Sequence, residues 1–155
     1  MNSLRIPARI LICITLLSAC TDSTLSTDTA KVTVPIEIVN NRPLVDVWIN
    51  GKPVSLLFDL GNSDNLLLFP AALDELEKVH VGRSEVYKTV HEVSDGKPIY
   101  RVDLVEVGDM HFRSVNVVED FHDAEYQADF IANFDSYGTV GTGLFQDHKL
   151  IIDYQ

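Results

Sequence analysis

Cysteine is nearly absent from this chain, and where it occurs it cannot staple a core. Cys13 and Cys20 both fall in the first twenty residues, so a domain built from the rest holds no internal disulfide. Basic residues are scarce as well: 12 Lys and Arg stand against 23 Asp and Glu, for a net charge of −11. Such a surface repels phosphate backbones, which argues against nucleic acid as a partner, and it offers no basic patch to anionic lipid. Any membrane attachment has to be covalent. The apolar run Ile10 to Leu17 stops far short of the ~20 residues a spanning helix needs.

What remains is ordinary for a domain with a core. Hydrophobic residues make up 46% of the 155 and charged residues 23%, which excludes wholesale disorder and suits one domain. Residues 1–19 read as a processing signal: Arg5 and Arg9 with no acid, then the short apolar run, then small residues. Residues 20–31 are rich in Ser, Thr and Asp and read as a flexible tether. The domain proper is expected over 32–155.

Alternation and β-branching dominate from Val32 onward. Strands are expected over Val32–Val39, Leu44–Ile49 and Pro53–Phe58, with Asn50-Gly51 as a hairpin turn. Pro70–Glu77 is the one good helix, with proline at its first position. Further strands are expected over Glu85–Val93, Ile99–Val107 and His111–Val118, with a turn over residues 94–98. Glu119–Tyr137 reads as a long acidic surface loop with helical turns, and Lys149–Tyr154 as a last strand. The class is mainly β: a small closed or folded barrel with one or two short helices.

The informative stretch is Val54-Ser55-Leu56-Leu57-Phe58-Asp59-Leu60-Gly61-Asn62. An apolar strand here delivers a carboxylate onto a glycine turn. Buried flanks seldom end in an aspartate unless its oxygens meet donors or do chemistry. The alternative is an Asp that opens a tight turn by accepting backbone N–H groups. The five histidines lack short metal-ligand spacing, so no metal and no cofactor are expected. Gly138, Gly141 and Gly143 lack a following Lys-Ser/Thr and read as packing glycines rather than a phosphate cradle.

Two resemblances add to this reading. Leu17-Ser18-Ala19-Cys20 resembles the lipobox of bacterial lipoproteins. That implies cleavage before Cys20, lipid on its sulfur and amine, and a place in the cell envelope. Thr21 in place of aspartate leans toward the outer membrane, facing the periplasm. An ordinary secretory signal with cysteine at its cleavage site is the alternative. The domain, in turn, resembles the retropepsin-like aspartyl protease family in its single-domain bacterial form. The resemblance rests on the order of pieces from the Asn50-Gly51 hairpin through Phe58-Asp59-Leu60-Gly61 and Leu104–Asp109 to Gly138-Thr139-Val140-Gly141 and Leu150–Tyr154.

The family resemblance implies a catalytic Asp59 on the loop Leu60, Gly61 and Asn62, and a flap at Asp95, Gly96 and Lys97. It also implies a homodimer acting on a peptide or protein, because the chain holds one such aspartate. Four departures accompany it. Leu60 stands where threonine braces the paired loops, Asn62 where a small residue is usual, Thr139 where an apolar one is usual, and Tyr137 where an acid is common. They imply weakened activity, or an envelope module that keeps the fold and binds a peptide or protein partner without cleaving it.

Overall fold

The computed structural model describes residues 31–85, 87–88, 93–94 and 96–152. The expected leader, most of the tether, Cys20, Asp95 and the end of the expected last strand lie outside the described residues.

The first strands follow from turn chemistry. β1 (Glu37–Val39) turns through Asn40-Asn41 into β2 (Arg42–Ile49), with both asparagines at positive φ, 47° and 61°. β2 then turns through Asn50 and Gly51, at φ 49° and 79°, into the antiparallel β3 (Lys52–Asp59). Asn50 also binds beyond its own hairpin: its Oδ1 accepts from Leu104 N–H at 2.9 Å, and its Nδ2 donates to the Glu77 carbonyl.

β4 (Leu66–Leu68), α1 (Pro70–Asp74) and β5 (Val79–Arg83) follow, then β6 (Tyr87–Lys88) and β7 (Val93–Ser94). Next come β8 (Pro98–Val107), β9 (Met110–Glu119), α2 (Ala124–Phe134), β10 (Gly138–Gly141) and a 3₁₀ turn over Thr142–Phe145. The long sheet runs β1-β2-β3-β10-β4-β9-β8-β5, and a further β2–β8 pairing joins its two arms. Strands β2, β3, β10, β4, β9 and β8 therefore close a six-strand barrel. The architecture is mainly β, closed, with two helices, as expected. Closure removes the edges that an open sheet leaves unpaired.

The barrel interior is filled by alternate residues, including Val45, Val47 and Ile49 of β2, Leu56 and Phe58 of β3, and Val105 and Val107 of β8. Leu57, between two inward residues, is buried as well, in a second cluster with Leu44, Phe69 and Phe130. α2 covers that outer face through Phe130, Ile131 and Phe134.

Several expectations require correction. Glu119–Tyr137 is not a surface loop, because it contains α2, whose Asp123 caps the first turn by accepting from Tyr126 N–H at 2.8 Å. The expected turn over 94–98 is displaced. Tyr87 pairs with Ser94 and Lys88 with Val93, antiparallel. Gly96 and Lys97 instead lie at the foot of this pair, where Ser84 N–H donates to the Lys97 carbonyl and Lys97 N–H donates to Ser84 Oγ. β4 and β5 were not expected. Lys149–Ile152 forms no strand. Among the described residues no helix is long and apolar enough to cross a membrane.

Candidate active site

Asp59 ends β3 after three buried residues, Leu56, Leu57 and Phe58. The apolar strand thus brings a carboxylate to the margin of the core. There Gly61 N–H donates to its Oδ1 at 2.8 Å, and Asn62 N–H donates to its carbonyl at 3.2 Å. One oxygen therefore caps the turn, as the simpler sequence reading requires. The side chain is half-buried and also lines a cavity of about 330 Å³.

β10 supports this loop from beneath. It runs parallel to β3, with Gly141 in register with Asp59, and Gly141 N–H donates to the Asn65 carbonyl. A Cβ on Gly141 would stand 2.3 Å from the Asp64 carbonyl oxygen and 2.6 Å from that of Asn62, so no side chain fits. Gly143 meets the Ser63 carbonyl, and Gly138 the Leu67 carbonyl, with equal closeness. The cluster packs against backbone, which is the role its sequence suggests.

Two departures noted in the sequence turn out to be partners. Asn62 Nδ2 donates to Thr139 Oγ1 at 3.1 Å, while Asn62 Oδ1 accepts from Asp64 N–H at 2.9 Å. The Asn62 carbonyl accepts from both Thr142 N–H and Thr142 Oγ1. The loop is thereby clamped to β10 within one chain. Leu60, by contrast, is 55% exposed and contributes no polar group. Burial alone holds the nearby Asp64 carboxyl above its ordinary value.

The opposite wall of the cavity comes from the segment read as a solvated acidic face. Asp120, Phe121, His122, Tyr126 and Phe130 all line it, together with Arg42. Asp120 is only 3% exposed. Its Oδ1 accepts from His122 N–H at 2.8 Å and sits 2.7 Å from His122 Nδ1. The Tyr126 ring stacks on the imidazole with centroids 3.9 Å apart. Burial first, then the Asp120 carboxylate, pushes the Tyr126 hydroxyl above its ordinary range, with Asp59 adding to the effect and Arg42 opposing it. The Asp-x-His pair just ahead of a capping Asp123 was the signal available in sequence. The cavity lining does not include Gly96 or Lys97. Among the described residues no group of three or more His, Cys, Asp or Glu is placed to hold a metal.

The aspartyl protease family model matches residues 45–123. The chain belongs to the aspartyl protease family. The span matched in this aspartyl protease family member includes most of β2 and all of β3, the Asp59 loop and the Asp120–His122 pair; β10 follows it. No curated protein matches the chain. Among solved structures, the EIAV protease in complex with an inhibitor is 20% identical, with a TM-score of 0.52, covering 78% of this chain and all of that one. A retropepsin-like aspartic protease from Rickettsia conorii is 15% identical with a TM-score of 0.49, over 80% of this chain and 90% of that one. At such identity the likeness concerns the fold.

Proposed function

We propose that this chain is a membrane-tethered aspartic-type peptidase in which Asp59 from each of two copies forms the reacting pair. The observation that carries the reading is the half-buried Asp59, delivered by an apolar strand to a braced turn and opening on a cavity. Two carboxylates around one water do not both ionise. One acts as base on the water, and the protonated one polarises the scissile carbonyl. A single chain supplies one aspartate of this kind, so a two-fold dimer completes the pair. The cavity wall formed by Leu57, Leu67, Phe69 and Phe130 suits an apolar side chain of an extended peptide. The deciding experiment is digestion of a mixed peptide library by the full chain in detergent from pH 3 to 7, beside Asp59→Asn. Cleavage that vanishes in the variant supports the peptidase.

A second reading is favoured by Leu60, whose exposed side chain carries no hydroxyl with which to brace a partner loop. In it the chain keeps the fold and binds a peptide or protein partner without cleaving it. No cutting by a folded, dimeric protein would favour that account.

Residues 1–19 serve in this proposal as the signal, and Cys20 as the lipidated anchor in the cell envelope, on the periplasmic side and most readily at the outer membrane. Labelling cells with tagged palmitate tests it: the wild type takes up label and sediments with membranes, and Cys20→Ser does neither. An unlabelled wild type removes the anchor from the account.

A further inference from the structure

We propose that the cavity beside Asp59 is a subsite for a basic side chain of the bound peptide, a lysine or an arginine, whose cationic end is received by Asp120. The inference rests on the Asp59 cavity as the place where a peptide binds, cut or uncut, and it names the class of residue taken there.

Asp120 is only 3% exposed, yet it lines the cavity. A buried carboxylate is costly unless its oxygens meet donors. Its Oδ1 is well served, by His122 N–H at 2.8 Å and His122 Nδ1 at 2.7 Å. No described group donates to Oδ2, and no described lysine or arginine pairs with the residue. Leu57, Leu67, Phe69 and Phe130 line the same cavity, a surface that packs methylenes and offers nothing to a charge. Long basic side chains suit such a place, because the apolar stem packs while the charged head finds its partner. A purely apolar side chain would fill the walls and leave the Asp120 oxygen without a donor. An acidic one would set two carboxylates together. A cationic end on an apolar stem satisfies both the walls and the carboxylate.

The surroundings agree with a cationic guest. Asp59 adds a second acid to the lining, while Arg42, the guanidinium in it, belongs to an exposed residue rather than a buried one. His122 is held by stacking on Tyr126 with centroids 3.9 Å apart, so the carboxylate it grips is fixed in place rather than free to swing into water. Over the whole chain, the net charge of −11 draws basic peptides inward before any contact is made.

The experiment gives the full chain in detergent a library of N-acetylated, C-amidated peptides with lysine, arginine, norleucine or glutamate at each position in turn. The blocked ends leave side chains as the source of any cation. Cut peptides are expected to carry lysine or arginine at one fixed place relative to the cut. Exchanging that residue for norleucine, which keeps the stem and loses the charge, should lower kcat/KM about 10- to 100-fold. Asp120→Asn, melting near the wild type, should cut the lysine and norleucine peptides alike. The peptide exchange is made on the unaltered chain, so it decides the matter even if Asp120→Asn fails to fold. Where the chain binds without cutting, fluorescence anisotropy compares the same two peptides, and the same ratio is expected in Kd. Equal handling of lysine and norleucine by the wild type overturns this proposal, and the Asp59 reading stands if Asp59→Asn still abolishes cleavage. A preference for basic residues at every position alike, lost as salt rises, also overturns it, because net charge alone would produce that. If Asp59→Asn cuts as well as wild type while lysine is still preferred at one place, the Asp59 reading falls and the subsite stands. A wild type that neither cuts nor binds any basic peptide overturns both.

Discussion

Asn62 Nδ2 donates to Thr139 Oγ1 across 3.1 Å, and Gly141 admits the loop backbone where a Cβ would stand 2.3 Å from an oxygen. These contacts give the residue-scale predictions. Asn62→Ala and Thr139→Val should each destabilise by about 1 kcal/mol, and the double variant by less than the sum of the two. Urea midpoints measure this, and strict additivity would show that the bond carries nothing. Gly141→Ala should cost about 2 kcal/mol or more, because the opposing atoms are backbone. Asp64 supplies a pH test. Its folded carboxyl lies above the ordinary 3.8, so the folded chain holds that proton more tightly than the unfolded one. The stability this confers is complete below about 3.8 and is lost as pH rises through the folded value. Asp64→Asn should therefore melt with the wild type near pH 3 and above it near pH 6. Equal melting at both values would show that burial of Asp64 costs nothing.

At the scale of elements, α2 gives the cavity its far wall. Its stripe of Tyr126, Phe130 and Phe134 repeats every four residues, and successive ring centroids lie 5.8 and 4.9 Å apart. Phe130 also meets Phe69 edge-on at 5.6 Å. Asp123→Ala removes the cap and should cost about 1 kcal/mol; Phe130→Ala should cost about 3 kcal/mol and loosen the His122 wall with it. Thermal melts check both. The cap, the early Glu125 and the four-residue repeat were all present in the sequence. The crowd of acids around them masked a helix that buries one narrow face. β4 is a different case. Three leucines in a row show no period, and only pairing with β9 and β10 makes them a strand.

At the scale of the whole molecule, charge and assembly are coupled. Each copy carries a net −11, so two copies repel at low ionic strength and the repulsion is screened as salt rises. The paired-Asp59 reading thus expects a dimer that tightens with salt in sedimentation equilibrium. A monomer at every concentration and salt would sink that reading.

Local chemistry determined what the sequence by itself could say. Asn50-Gly51 dictates a turn because both residues tolerate positive φ, alternating Val and Ile dictate strands with one inward face, and Phe58-Asp59-Leu60-Gly61 places a carboxylate on a tight turn. Tertiary structure decided whatever depends on residues distant in the chain. It joined Asn62 to Thr139, turning two apparent flaws into one bond. It set Asp120 and His122 across a cavity from Asp59, and it closed β2 onto β8. A hydrogen bond between residues 77 apart leaves no period and no spacing in the sequence, because its geometry is set by the barrel and not by the neighbours of either residue.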